Sequence, residues 1–154
     1  VPWEAAKVAR VEALTAAGDY DDAIVEAQGL VRDATFQAAP LELAGRALFA
    51  AGRDASADTA LRSAWNLGPS GSAAYALGLL ALRRQDPAEG VTWLERALQL
   101  EPRSAPALYQ LSLAFALRGD IERARATAAR LASVNPTYPP LAEWLRRLGM
   151  PPVR

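Results

Sequence analysis

The 154-residue chain contains no cysteine and no histidine. The first absence excludes disulfides and thiol nucleophiles, and the two together exclude the usual zinc sites. The second also removes the side chain that most often serves as a general base near neutral pH. Lysine is nearly missing too, with Lys7 alone beside sixteen arginines. Aromatics make up 7% of the chain and β-branched residues are few, which argues against a β-rich core. No apolar run approaches the ~20 residues that span a bilayer. Catalytic signatures are missing as well: there is no G-x-x-x-x-G-K-[ST], G-x-G-x-x-G or G-x-S-x-G. Asp19, Asp21 and Asp22 cluster, but not in a loop of calcium-binding form. Their placement suits the positive end of a helix dipole instead. The chain therefore reads as non-enzymatic, with no metal and no cofactor.

Net charge is zero, 17 basic residues against 17 acidic ones, so no global field draws nucleic acid or an anionic membrane surface. The charge is unevenly spread. Residues 1–60 hold ten acids and five bases, net −5, and residues 61–154 hold seven and twelve, net +5. That imbalance is either chance among solvated side chains or a means of orienting a partner or a second copy. A cysteine-free chain works in either redox setting, so the compartment is open, a soluble cytoplasmic one being favoured over export or membrane tethering. The chain opens at Val1 without a Met, as a trimmed or processed fragment would.

What is present is alanine, leucine and a period. The chain is 51% hydrophobic and dominated by strong helix formers. It has the length of one ordinary domain, able to bury roughly two-thirds of its unfolded surface. Pro69, Pro102 and Pro136 recur at a near-constant spacing of about 33–34 residues, a period in the range that marks repeat architectures. Upstream of each runs the same series. A first helix carries small or apolar residues at i, i+3, i+4 and i+7: Leu41, Ala44, Gly45, Leu48; Ala74, Leu77, Gly78, Ala81; Leu108, Leu111, Ser112, Phe115. A Gly- or Asp-type break follows, then a second helix with Ala57, Leu61, Ala64; Gly90, Leu94, Ala97; Ala124, Ala128, Leu131. Gly45, Gly78 and Ser112 are small enough for two backbones to approach closely. Asp19, Asp86 and Asp120 stand where N-caps belong. Asp86-Pro87-Ala88-Glu89 is the fullest start signal, and the closing Pro cannot continue a helix.

This pattern resembles the tetratricopeptide repeat (TPR) family, a 34-residue helix–turn–helix unit. The likeness covers about residues 4–136 and is fullest in "YALGLLALRRQDPAEGVTWLERALQLEP" (75–102) and "ALYQLSLAFALRGDIERARATAARLASVNP" (107–136). It implies an all-α fold, a right-handed α-α superhelix or helical-repeat solenoid. Three clear units and one degenerate one would lie at about 4–37, 38–70, 71–104 and 105–138, all in one domain. The first copy departs from the pattern, with Lys7 and Arg10 in columns that are apolar later and only Val11 and Leu14 in keeping, as suits a terminal unit. After Pro136, Leu141, Trp144, Leu145 and Leu148 make the apolar face of a capping helix at about 139–149, ended by Gly149 and Pro151.

The resemblance also implies that the first helix of each unit lines a concave groove. One step round from the buried stripe, the third copy presents Tyr75, Leu79 and Leu82, and the fourth presents Tyr109 and Leu113. Glu42, Arg46 and Phe49 continue the groove in the second copy at a more polar end. "AYALGLLAL" and "ALYQLSLAFAL" are apolar nearly all round, more than one buried stripe needs. Some members of the family hold a C-terminal acidic peptide with a Lys/Asn/Arg clamp. The corresponding places here are Val8, Glu12, Leu43, Ser72 and Ala76, none of which donates to a carboxylate. The expected function is a protein-protein interaction module, an adaptor or assembly factor that binds an apolar or amphipathic protein or peptide segment. The alternatives are burial of these residues, or a self-associating scaffold with head-to-tail contacts, a homo-oligomer. Nucleic-acid binding through Arg83, Arg84, Arg118, Arg123, Arg125 and Arg130 lacks an aromatic stacking platform and is not expected.

Overall fold

The computed structural model describes residues 2–33 and 37–154, and the described residues form α-helices without a strand. In chain order these are α1 (Pro2–Ala17), α2 (Tyr20–Asp33), α3 (Ala38–Ala50), α4 (Asp54–Leu67), α5 (Gly71–Arg83), α6 (Pro87–Leu100), α7 (Ala105–Leu117), α8 (Ile121–Val134) and α9 (Leu141–Arg147). The starts of α2, α4, α6 and α8 recur with the same period as the prolines in the sequence.

The turn between paired helices is the same device four times. Gly18, Gly52 and Gly119 have φ of 77°, 75° and 78°, and at the matching place Gln85 takes φ 60°. In each turn the N–H of this residue bonds to the carbonyl three residues back. The next N–H reaches five back: Asp19 to Leu14, Arg53 to Leu48, Asp86 to Ala81 and Asp120 to Phe115, at 2.8–3.0 Å. These bonds satisfy carbonyls that the ending helix leaves open, and only a left-handed residue closes them. At α6 and α8 the turn is followed by a side-chain cap. Asp86 and Asp120 accept from the backbone N–H of Glu89 and Arg123 at 3.0 and 3.2 Å. Asp19 directly precedes α2, and its backbone carbonyl accepts from Ala23.

By their internal contacts the residues group into two compact units, 1–80 and 81–154. In the first, α1 packs on α2 and α3, and α3 packs on α2 and α4. Its core is Val11, Ala27, Leu30, Ala44, Ala47, Leu48, Ala57 and Ala60, with Leu41, Leu61 and Leu77 also fully buried. Gly45 sits where α3 crosses α4 closely; a Cβ there would stand 2.6 Å from Leu61 Cγ. The polar residues of α1 have a use: Lys7 pairs with Asp33, and Arg10 pairs with Glu26 at 2.8 Å. α1 thus meets α2 through these charges as well as through Val11.

In the second unit α7 packs on α6 and α8, and α8 packs on α9. Leu94, Ala97, Leu108, Leu111, Phe115, Ala124, Ala128 and Leu131 are buried, joined by Leu141, Trp144, Leu145 and Leu148 of the last helix and its end. Every residue assigned from the sequence to the stripes of α3 to α8 is buried. Ser112 stands in the small-residue column, but its role is more than size. Its hydroxyl donates to the Ala124 carbonyl and accepts from Trp144 Nε1, both at 2.7 Å. One buried serine thus ties α7 to α8 and α9. Arg125 adds a second tie, its Nε donating to the Leu148 carbonyl at 2.8 Å.

Candidate functional site

An opening in the first unit lies among the first helices of its pairs. Glu12, Thr15 and Ala16 come from α1, Leu43, Arg46, Ala47, Phe49 and Ala50 from α3, and Ser72, Tyr75, Ala76 and Leu79 from α5. The cavity is about 480 Å³, within the roughly 300–1,000 Å³ common for ligand pockets. Its walls are chiefly apolar. Leu43, Phe49, Tyr75 and Leu79 are half-buried and supply them, while Glu12, Arg46, Ala16 and Ala50 stand exposed at the rim. Each helix contributes for a local reason. The stripe of the first helix is spent on its own pair, so the residues one step round are left over and face the opening.

A smaller cavity of about 300 Å³ adjoins it through shared residues and is lined by Val8, Glu12, Ala39, Pro40, Glu42, Leu43 and Arg46. Glu42 is already engaged there. The Ser70 hydroxyl donates to Glu42 Oε2 at 2.7 Å and accepts from the Ala73 N–H at 3.0 Å. Ser70 therefore caps α5, and Glu42 holds the cap in place. The contact links Glu42 of α3 to the start of α5, the helix that carries Tyr75 and Leu79.

The expected groove residues are thus distributed as follows. Arg46, Phe49, Tyr75 and Leu79 share one cavity, and Glu42 lines its neighbour. Leu82, Tyr109 and Leu113 belong to the second unit and are half-buried there. Tyr109 packs against Tyr138, ring centroids 5.7 Å apart, and edge-on to Trp144 at 6.2 Å. Burial raises the Tyr138 phenol pKa above its ordinary value of 10.0, with Tyr109 adding to the rise.

Sequence reasoning counts Val8 and Glu12 of α1 only as clamp positions and leaves α1 out of the groove residues. The signal is available: Glu12 and Thr15 stand one full repeat before Arg46 and Phe49. The places matched to a carboxylate clamp also line these cavities, Glu12, Leu43, Ser72 and Ala76 in the larger and Val8 in the smaller. None carries a positive charge. The cation lining the larger cavity is Arg46, outside those places.

Among the described residues no group of three or more acids, His or Cys is placed to hold a metal. No described helix is long and apolar enough to cross a membrane. Of the arginines considered for nucleic acid, three in the second unit are engaged within it. Arg123 faces the Phe115 ring and pairs with Asp120, Arg125 bonds Leu148, and Arg130 donates to the Pro102 carbonyl.

No family model and no curated protein matches the chain. Solved structures do match its fold. The crystal structure of MamA protein superposes with a TM-score of 0.83 at 20% identity, covering 94% of this chain and 80% of that one. YrrB, described as a TPR protein with an unusual peptide-binding site, matches with a TM-score of 0.76 at 18% identity, over 93% of this chain and 73% of its own. TTC0263, a thermophilic TPR protein of Thermus thermophilus, gives 0.76 at 22% identity, over 95% and 83%. Likeness at this level of identity shows a shared fold, that of TPR helical-repeat proteins.

Proposed function

We propose, taking the TPR fold as premise, that this chain is a non-enzymatic protein-protein interaction module, an adaptor or assembly factor. It holds an apolar or amphipathic segment of a partner in the cavity among α1, α3 and α5. The observation that carries this reading is the wall of Leu43, Phe49, Tyr75 and Leu79. These large side chains are only half-buried and converge on one opening from different helices. Converging apolar surface left open to solvent is a common mark of a binding site. Tyr75 suits such a wall, with a large apolar body and a polar tip. The absence of a clamp cation at Glu12, Leu43, Ser72 and Ala76 disfavours a terminal carboxylate as the main anchor.

Filling the cavity tests this without touching the core. Ala50 is an exposed rim residue, so Ala50→Trp places bulk in the opening while the buried stripe of α3 is unchanged. Partners captured from an extract of the source cells by the wild type are expected to be lost with Ala50→Trp, with circular dichroism and melting unaltered. Equal capture by both would sink the reading. The charge asymmetry, net −5 over residues 1–60 and net +5 over 61–154, favours a second reading, head-to-tail self-association. Light scattering separates the two, because assembly driven by charge weakens as salt rises.

A further inference from the structure

One column of the repeat crosses the open cavity and changes character at each step. Glu12, Arg46 and Leu79 are each one repeat apart, so they occupy the same place on α1, α3 and α5. All three line the cavity. The column therefore offers an acid, then a base, then an apolar wall, in the order of the helices. Among the described residues Glu12 and Arg46 form no ion pair with each other or with a neighbour. Other charges of the same unit are engaged: Lys7 with Asp33, Arg10 with Glu26, and Glu42 with Ser70. Among the described residues of the rim, Glu12 and Arg46 are the charges left to meet a ligand.

We infer that the cavity reads the charge order of its partner segment, which lies across the three helices with a basic residue over Glu12, an acidic residue over Arg46 and an apolar residue against Leu79. This rests on the proposed groove and adds its specificity. Charge complementarity beside an apolar wall supports it. Such a wall draws any greasy segment, but it does not set the segment's direction or reject one carrying the wrong charge. Two opposite charges on adjacent helices do both. A segment laid in reverse sets its base against Leu79 and its apolar residue over Glu12, and loses the pair at Glu12. Neighbouring packed helices stand about 8–10 Å apart. A segment in the polyproline II conformation advances about 3.1 Å per residue and returns to the same face every third residue, so the three recognised residues fall about three positions apart. The partner motif is an acid centred between a base and an apolar residue, readable from either chain end.

The test is selection from a displayed library of random dodecapeptides against the full chain, repeated with Glu12→Arg, Arg46→Glu, the double reversal and Ala50→Trp. Peptides enriched on the wild type are expected to carry an acid flanked by a base on one side and an apolar residue on the other. Each single reversal should weaken them by about tenfold or more, since like charges brought together repel. The double reversal should instead enrich peptides with the two charges exchanged. Both reversed residues are exposed, so melting curves should not move. If the enriched peptides are lost with Ala50→Trp yet tolerate both charge reversals, the charge reading is overturned and the groove stands. If no peptide is enriched, or the enriched ones bind Ala50→Trp as tightly, the groove falls and the inference with it.

Discussion

Glycine to alanine should have opposite signs at two helical positions, and the local packing says which. At Gly45 in α3 a Cβ would lie 2.6 Å from Leu61 Cγ, 2.9 Å from Cδ2 and 3.2 Å from the Leu61 backbone nitrogen. Leu61 is fully buried and these atoms lie near its backbone, so it has no open space to swing into. Overpacking of this kind costs about 1–3 kcal/mol. Alanine returns up to about 1 kcal/mol through helix propensity. The net expectation for Gly45→Ala is a loss of about 1–2 kcal/mol, a fall in Tm of about 2–8 °C for a chain of this length. At Gly29 in α2 the nearest atom to an added methyl would be Arg32 Nη2 at 3.9 Å, ordinary contact with a flexible tip. There only the propensity gain operates, and Gly29→Ala should raise Tm by about 2–4 °C. Thermal melts followed by far-UV circular dichroism, with urea titrations alongside, measure both. Adding Leu61→Ala to Gly45→Ala should relieve part of the clash, giving a coupling of about 0.5 kcal/mol or more. A Gly45→Ala protein that melts at or above the wild type would refute the claim that close backbone approach sets the α3–α4 spacing.

Three other outcomes are expected. Ser112→Ala leaves the buried Trp144 Nε1–H without its acceptor and should cost about 1–3 kcal/mol in urea unfolding; combined with Trp144→Phe, which removes the orphaned donor, the loss should be less than the two single losses together. Gln85→Gly should stabilise by about 0.5–1 kcal/mol, since it relieves a left-handed side-chain conformation at the one turn of four that lacks glycine, while Gln85→Val should destabilise. Because Tyr138 titrates above 10.0 in the folded chain, its contribution to stability is complete below that pH. It is lost as pH rises through the raised folded value, and Tyr138→Phe should flatten this part of the pH–stability profile.

Much of the fold is legible because a helical repeat writes its packing locally. The i, i+3, i+4, i+7 stripes of α3, α5 and α7 and the inward residues of α4, α6 and α8 are all buried, as their periodicity requires. Asp86 and Asp120 cap as their positions suggest. Trp144 is core, in keeping with its place on the apolar face of α9. The candidate site is less legible. Tyr75, Leu79, Phe49 and Arg46 follow from their offset from the stripe, but α1 is too polar to look like a groove wall, which hides Thr15 and leaves Glu12 as no more than a clamp position. In sequence Glu42 looks like a rim charge, whereas its carboxylate is bound to Ser70, 28 residues away. Ser112 looks interchangeable with Gly45 and Gly78, since nothing near it in sequence announces the Trp144 indole 32 residues on.

The sequence by itself determined which residues are helical, where each helix turns back, and which face is buried, because those depend on contacts within one repeat or between neighbouring copies of one pattern. Tertiary structure alone decided that the leftover faces of α1, α3 and α5 enclose a cavity. It also decided that, among the described residues, Glu12 and Arg46 form no ion pair while Lys7 and Arg10 do, and that Glu42 is held by Ser70. Pairing and enclosure depend on distances between side chains far apart in the sequence, and those distances follow from how closely the helices of one unit pack.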